Sequence, residues 1–224
     1  MSTPLEIASP LEPAAERWTA LAEITLIFTL FTGFLWGGRD LIPGSSVAFI
    51  ASMLVLLFWL HRRSRESAQV LGLRWDTFGA ALRLLFPIVI SVATVVVIYS
   101  MVAATARFPP WPEIPRVLLS FVVSGFLQQY VLLAFFGRRF TRALRSPRYA
   151  ILASAAVFAL LHLPNPFLTV VTFLAGILCA TIYQRAPNLF ANGLMHGLLS
   201  FVLSFGLPLE VNDAMRVGSH HIPL

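Results

Sequence analysis

From Tyr149 to Gln184 the chain carries no aspartate, glutamate or arginine, and it contains no lysine anywhere. A membrane-spanning helix needs about 20 mostly apolar residues. This run is therefore too apolar to face water and too long for one crossing. Pro164-Asn165-Pro166 divides it, because two prolines so close remove amide donors and push the residues before them out of helical geometry. The division predicts helices over residues 149–163 and 167–184.

Five further apolar runs, at 18–38, 46–60, 84–106, 117–137 and 188–207, meet the same length criterion or come close to it. The sequence thus predicts an all-α, polytopic integral membrane bundle of about seven transmembrane helices. Composition agrees: 58% of the residues are hydrophobic and only 12% charged, where a soluble domain keeps about a quarter charged. The expected organisation is a polar N-terminal tail over 1–17, one transmembrane domain over 18–209 and a C-terminal tail over 210–224.

The net charge of +6 comes from arginine alone. Arg62, Arg63, Arg65 and Arg74 follow the second run, Arg138, Arg139, Arg142, Arg145 and Arg148 separate the fourth from the fifth, and Arg185 follows the sixth. With seven crossings these clusters fall on one side, which the excess of positive charge in cytoplasmic loops makes the cytoplasmic one. That assigns the N-terminus to the cytoplasm and the C-terminus to the opposite side. Arginines clustered between apolar runs argue against nucleic-acid binding. Residues 68–83 read as an amphipathic interfacial segment, with Leu71, Leu73, Trp75 and Phe78 among Arg74, Asp76 and Arg83. The lone Cys179 excludes an intrachain disulfide and a C-x-x-C metal site. The first residues hold Glu6, Glu12 and Glu16 with no basic stretch before an apolar core, unlike a secretory signal.

Polar side chains inside membrane helices are expensive, which makes them candidates for function, with helix–helix hydrogen bonding as the competing explanation. Gln128-Gln129 falls mid-membrane, roughly 17 Å from the end of the fourth run at about 1.5 Å per residue. Phe158 and His162, four apart, share a helix face just before the proline break. In the last run Asn188, Asn192, His196 and Ser200 recur every fourth residue and form one stripe. Asn165 sits in the break itself, where irregular backbone is tolerated only against protein or a wet cavity.

In this order the motifs resemble the CPBP superfamily of intramembrane proteases, which includes CAAX prenyl endopeptidases and bacteriocin-processing or immunity proteins (the Abi family). Members carry Glu-Glu-x-x-x-Arg, then Phe-x-x-x-His, then His-x-x-x-Asn. Phe158 and His162 match the second motif, and His196 the histidine of the third, with Ser200 in place of its asparagine. Leu71-Gly72-Leu73, Gly176 and Asn188-Leu189 are similar too, and the likeness spans roughly residues 68–205. It implies an endopeptidase cutting membrane-anchored, prenylated or peptide substrates, in which a glutamate activates water and histidines assist, with Gln128, Gln129, His162 and His196 at the catalytic positions. It also implies a bacterial inner-membrane location.

The first motif departs from the family. Gln128 and Gln129 replace both glutamates and Leu133 replaces the arginine. An amide cannot take a proton from water, and from Ile114 through Leu209 there is no acid at all. Glu23 is the one carboxylate expected inside the membrane elsewhere. A divalent metal at His162 and His196 would lack the three strong ligands that zinc usually takes, so no cofactor is expected. Two readings follow: a CPBP-like endopeptidase, or an inactive relative that binds a hydrophobic peptide or lipid in a polar cavity lined by Phe158, Asn165, Asn192 and Ser200. A transporter is the third, without a buried acid–base relay to support it. Expected partners are membrane lipids and a hydrophobic peptide or membrane-anchored protein.

Overall fold

The computed structural model describes residues 14–39 and 44–221, all helices and connecting turns with no strand among them. Most of the expected polar N-terminal tail lies outside the described residues. Helix α1 (Ala14–Gly33) runs on through a π-helical stretch, Phe34–Gly38. Helices α2 (Ser45–Arg63) and α3 (Phe78–Val102) follow, and then α4 (Ile114–Gln129). A π-helical run, Tyr130–Gly137, joins α4 to α5 (Arg138–Leu144) without a break. Helices α6 (Pro147–Leu160), α7 (Pro166–Arg185) and α8 (Leu189–Gly206) complete the bundle, before a single turn, α9 (Leu209–Asn212).

Each of the seven expected crossings has a helix. Six of these are long and apolar enough to span a bilayer. The seventh, α6, has 14 residues. At about 1.5 Å per residue it falls short of a hydrocarbon core about 30 Å thick. The shortfall has a local cause. Pro164 and Pro166 cannot continue the helix, so it stops at Leu160 in a run of turns, and α7 restarts at Pro166 under the Asn165 cap, whose Oδ1 accepts from the Leu168 amide at 3.0 Å. His162 is thereby held on non-helical backbone in the middle of an apolar stretch.

Large apolar side chains cover the bundle's outside: Val55 is 69% exposed, Val95 66% and Met101 74%. No water-soluble surface tolerates that density of apolar groups. The fold is that of an integral membrane protein, with its buried face turned inward.

The tightest packing pairs α4 with α8. A Cβ on Gly125 would lie 2.7 Å from the Gly197 amide, one on Gly193 2.6 Å from Phe126 Cα, and one on Gly197 2.5 Å from Val122 Cα. The two backbones touch, and only glycine permits it. On the adjoining face Gly176 of α7 lies against Ala155 of α6. These contacts pair α4 with α8 and α6 with α7.

Two stretches between and after the helices pack against the bundle. In the expected interfacial segment, residues 68–77 are turns tied to the start of α8, and 78–83 open α3. The Leu189 amide donates to Gly72 O at 2.9 Å, and Asn188 Nδ2 to Arg74 O at 2.5 Å. Trp75, 70% exposed, faces outward and stacks on Phe190 with ring centroids 4.4 Å apart. The C-terminal stretch is no free tail either. Residues 207–221 fold back across the bundle, with the Gly218 amide donating to Leu163 O at 2.8 Å. Asp213, Ala214 and Met215 all take positive φ values, 42°, 49° and 60°. Non-glycine residues rarely occupy this region in succession.

Candidate functional site

The four catalytic-position residues enter from three elements. Gln129 closes α4 and is buried, 1% exposed. Its Nε2 donates to His196 Nδ1 of α8 at 2.8 Å, across the glycine-lined contact. Because the amide donates, Nδ1 must accept, and the neutral imidazole carries its proton on Nε2. His162 has the opposite arrangement. Its Nδ1 lies 2.7 Å from Phe158 O, a carbonyl that can only accept, so Nδ1 holds a proton and, in the neutral ring, Nε2 keeps the lone pair. The Phe158 ring neighbours both imidazoles, its centroid 4.7 Å from that of His162 and 6.2 Å from that of His196. The two histidines thus share one phenyl neighbour.

They border a cavity of about 870 Å³ whose lining includes Ser124, Gln128, Phe158, His162, Asn192, His196 and Ser200. Gln128 donates to Ser124 Oγ at 3.1 Å. Asn192 is fully buried; its Nδ2 donates to Asn188 O at 2.8 Å, and its Oδ1 makes no hydrogen bond within the protein. Gln129 stands behind His196 and holds it in place without lining the cavity.

Two expectations need correction. The cavity is not polar: leucines, valines, isoleucines, phenylalanines and methionines make most of its wall. The α8 stripe can paint only one side, because each polar residue occupies a single face of its helix. Asn165 does not line it. Besides capping α7, its Nδ2 donates to Asn212 O at 3.0 Å and Arg216 O at 3.1 Å, anchoring the C-terminal stretch.

The sequence also underestimates the buried acids. Glu23 is buried as expected, but so is Glu66, whose side chain is 2% exposed. Its carboxylate faces His61 Nδ1 at 2.7 Å and accepts from Arg138 Nε at 2.5 Å, Arg139 Nη1 at 2.6 Å and Arg142 Nη2 at 2.8 Å. Arg139, itself fully buried, also donates to Glu23 at 2.6 Å. Burial pushes the Glu66 carboxyl upward, but the His61 hydrogen bond, the Arg138 charge and the bond and charge of Arg139 outweigh it. Together they hold Glu66 below the usual carboxylate range. This cluster lies at the arginine-rich end of the bundle and contributes nothing to the cavity wall. No group of three or more His, Cys, Asp or Glu suited to a metal occurs among the described residues.

These features define a polytopic helical membrane protein with a cavity bordered by two histidines, His162 at the helix break and His196 within α8. Within it, residues 109–202 match the model of one family, Type II CAAX prenyl endopeptidase Rce1-like. The match covers less than half of the chain, and it agrees with the resemblance of the motif order to the CPBP superfamily. No curated protein and no solved structure matches the chain.

Proposed function

We propose that this protein binds a lipid-bearing or hydrophobic peptide in its intramembrane cavity without hydrolysing it, on the scaffold of a CAAX-type intramembrane protease. The observation that carries the reading is that, among the described residues, no carboxylate lines the cavity. Peptide hydrolysis on this scaffold requires a group that takes a proton from water, and the two positions where the family places glutamate hold amides. The Gln129–His196 pair instead makes a neutral donor–acceptor contact, which costs little in a low-dielectric interior where a charged group is expensive.

The lining also supports a class of ligand. The apolar volume suits one or more hydrocarbon chains or large apolar side chains. Asn192 Oδ1, buried and without a partner in the protein, suits an N–H donor such as a peptide amide. A peptide joined to a lipid supplies both. The arginine-rich end faces the cytoplasm in this proposal, following the usual loop-charge asymmetry.

A second reading, hydrolysis by the histidines, has one specific observation in its favour: His162 Nε2 is left as a base by the bond to Phe158 O. One experiment separates the two. The wild-type protein in nanodiscs is given a fluorescent prenylated peptide and followed for both binding and cleavage. Saturable binding is expected, weakened by Asn192→Ala, with the peptide intact. Cleavage by the wild type that His162→Ala abolishes would overturn the non-hydrolytic reading.

A further inference from the structure

The cavity's end opposite the Glu66 cluster is built from the C-terminal stretch: Leu207, Met215 and Val217 all belong to its wall. Several sets of bonds hold this strap, among them Arg107 Nη2 donating to Leu207 O at 2.8 Å. Asn165 Nδ2 donates to the strap carbonyls of Asn212 and Arg216. Asn212 Nδ2 donates to Leu203 O at 2.9 Å and Ser204 O at 3.1 Å, the last turn of α8. At the far end the Gly218 amide bonds Leu163 O, and Ser219 Oγ donates to Leu35 O at 3.3 Å. Between these anchors lie the three successive left-handed residues Asp213, Ala214 and Met215. That backbone does not relax into this shape unaided, so the closed strap depends on its side-chain bonds.

We propose that residues 207–221 form a gate over the cavity, and that Asn165 is the positioning residue that keeps it shut. The inference deepens the binding reading by naming the route through which a ligand's polar end reaches Asn192 and the histidines. The opposite end of the bundle holds the buried Glu66–Arg139 cluster, with Tyr130 and Phe135 against His61. Asn165 does two separable things. Its Oδ1 caps α7 and its Nδ2 clasps the strap. Aspartate keeps the cap and loses the clasp, setting a carboxylate against two carbonyls.

The chain carries its own reporter. Cys179 is its only cysteine and lines the cavity. The experiment measures the rate at which a small water-soluble methanethiosulfonate modifies Cys179 in the full-length protein in nanodiscs. Asn165→Asp should speed modification roughly tenfold, as loss of two hydrogen bonds from a closed state implies. Asn212→Asp, which frees the strap from α8, should do the same and serves if the first variant does not fold. Asn188→Asp removes equivalent donors from the other end of α8 and should leave the rate unchanged. Unchanged rates in both strap variants, or an equal rise in Asn188→Asp, would overturn the gate. Peptide binding is read by a separate assay, so failure here is distinguishable from failure of the proposed function.

Discussion

At the scale of single residues, two buried polar clusters divide the work. Near the cavity, neutral groups meet: the Gln129 amide, two imidazoles and Asn192. At the arginine-rich end, charges meet: Glu66 and Glu23 against Arg138, Arg139 and Arg142. The second cluster bears on stability. Removing one partner of a buried ion pair costs about 3–5 kcal/mol, because the other charges stay buried. Glu66→Gln should therefore lower the midpoint of thermal unfolding sharply, whereas Asp76→Asn, in an exposed pair with Arg74, should change it little. The pH dependence follows in sign. Because folding depresses the Glu66 carboxyl, its stabilisation is fully present above the ordinary glutamate value of about 4.3. It is lost as pH falls below that toward the depressed folded value. Wild-type stability should hold near neutrality and decline in acid, and the Glu66→Gln decline should be shallower. Glu66 was not legible as a buried group. It follows Arg62, Arg63 and Arg65 in a polar stretch that reads as solvated, and the arginines that bury it lie more than seventy positions away in the chain.

At the scale of helices, the contact between α4 and α8 aligns the site. Gly193 and Gly197, one turn apart, face Val122, Gly125 and Phe126 so closely that no side chain fits between. The Gln129–His196 bond sits at the end of this seam. Gly197→Ala forces the backbones apart and should cost about 1–3 kcal/mol, the usual range for overpacking. Gly37→Ala, where a Cβ meets nothing within 4 Å, should be neutral or slightly stabilising. Comparing the two variants' unfolding midpoints checks this, and equal losses would show that the seam is not special. The glycine spacing was visible in the sequence, but spacing alone does not say which helix it receives. The proline break, by contrast, was legible at once, because Pro164 and Pro166 act through their own backbone. What the break does to Asn165 was not. Its partners, Asn212 and Arg216, lie in a stretch whose mixed composition reads as a tail.

At the scale of the whole molecule, apolar run lengths were enough to locate all seven helices, since the bilayer imposes one length on every crossing. They could not reveal that most of the cavity wall is apolar, because lipid-facing and cavity-facing leucines look alike in sequence. Nor could they show the chain's last turns closing that cavity. The account depends on α4, α6 and α8 converging so that two imidazoles, both next to Phe158, hold opposite, neutral tautomers. Solid-state NMR of the protein in lipid, with 15N-labelled histidine and His162→Ala and His196→Ala for assignment, reads those tautomers directly. The account predicts a protonated Nδ1 on His162 and a protonated Nε2 on His196, with Gln129→Glu moving the His196 proton to Nδ1. A His196 resonance that is cationic, or that does not respond to Gln129→Glu, would contradict it.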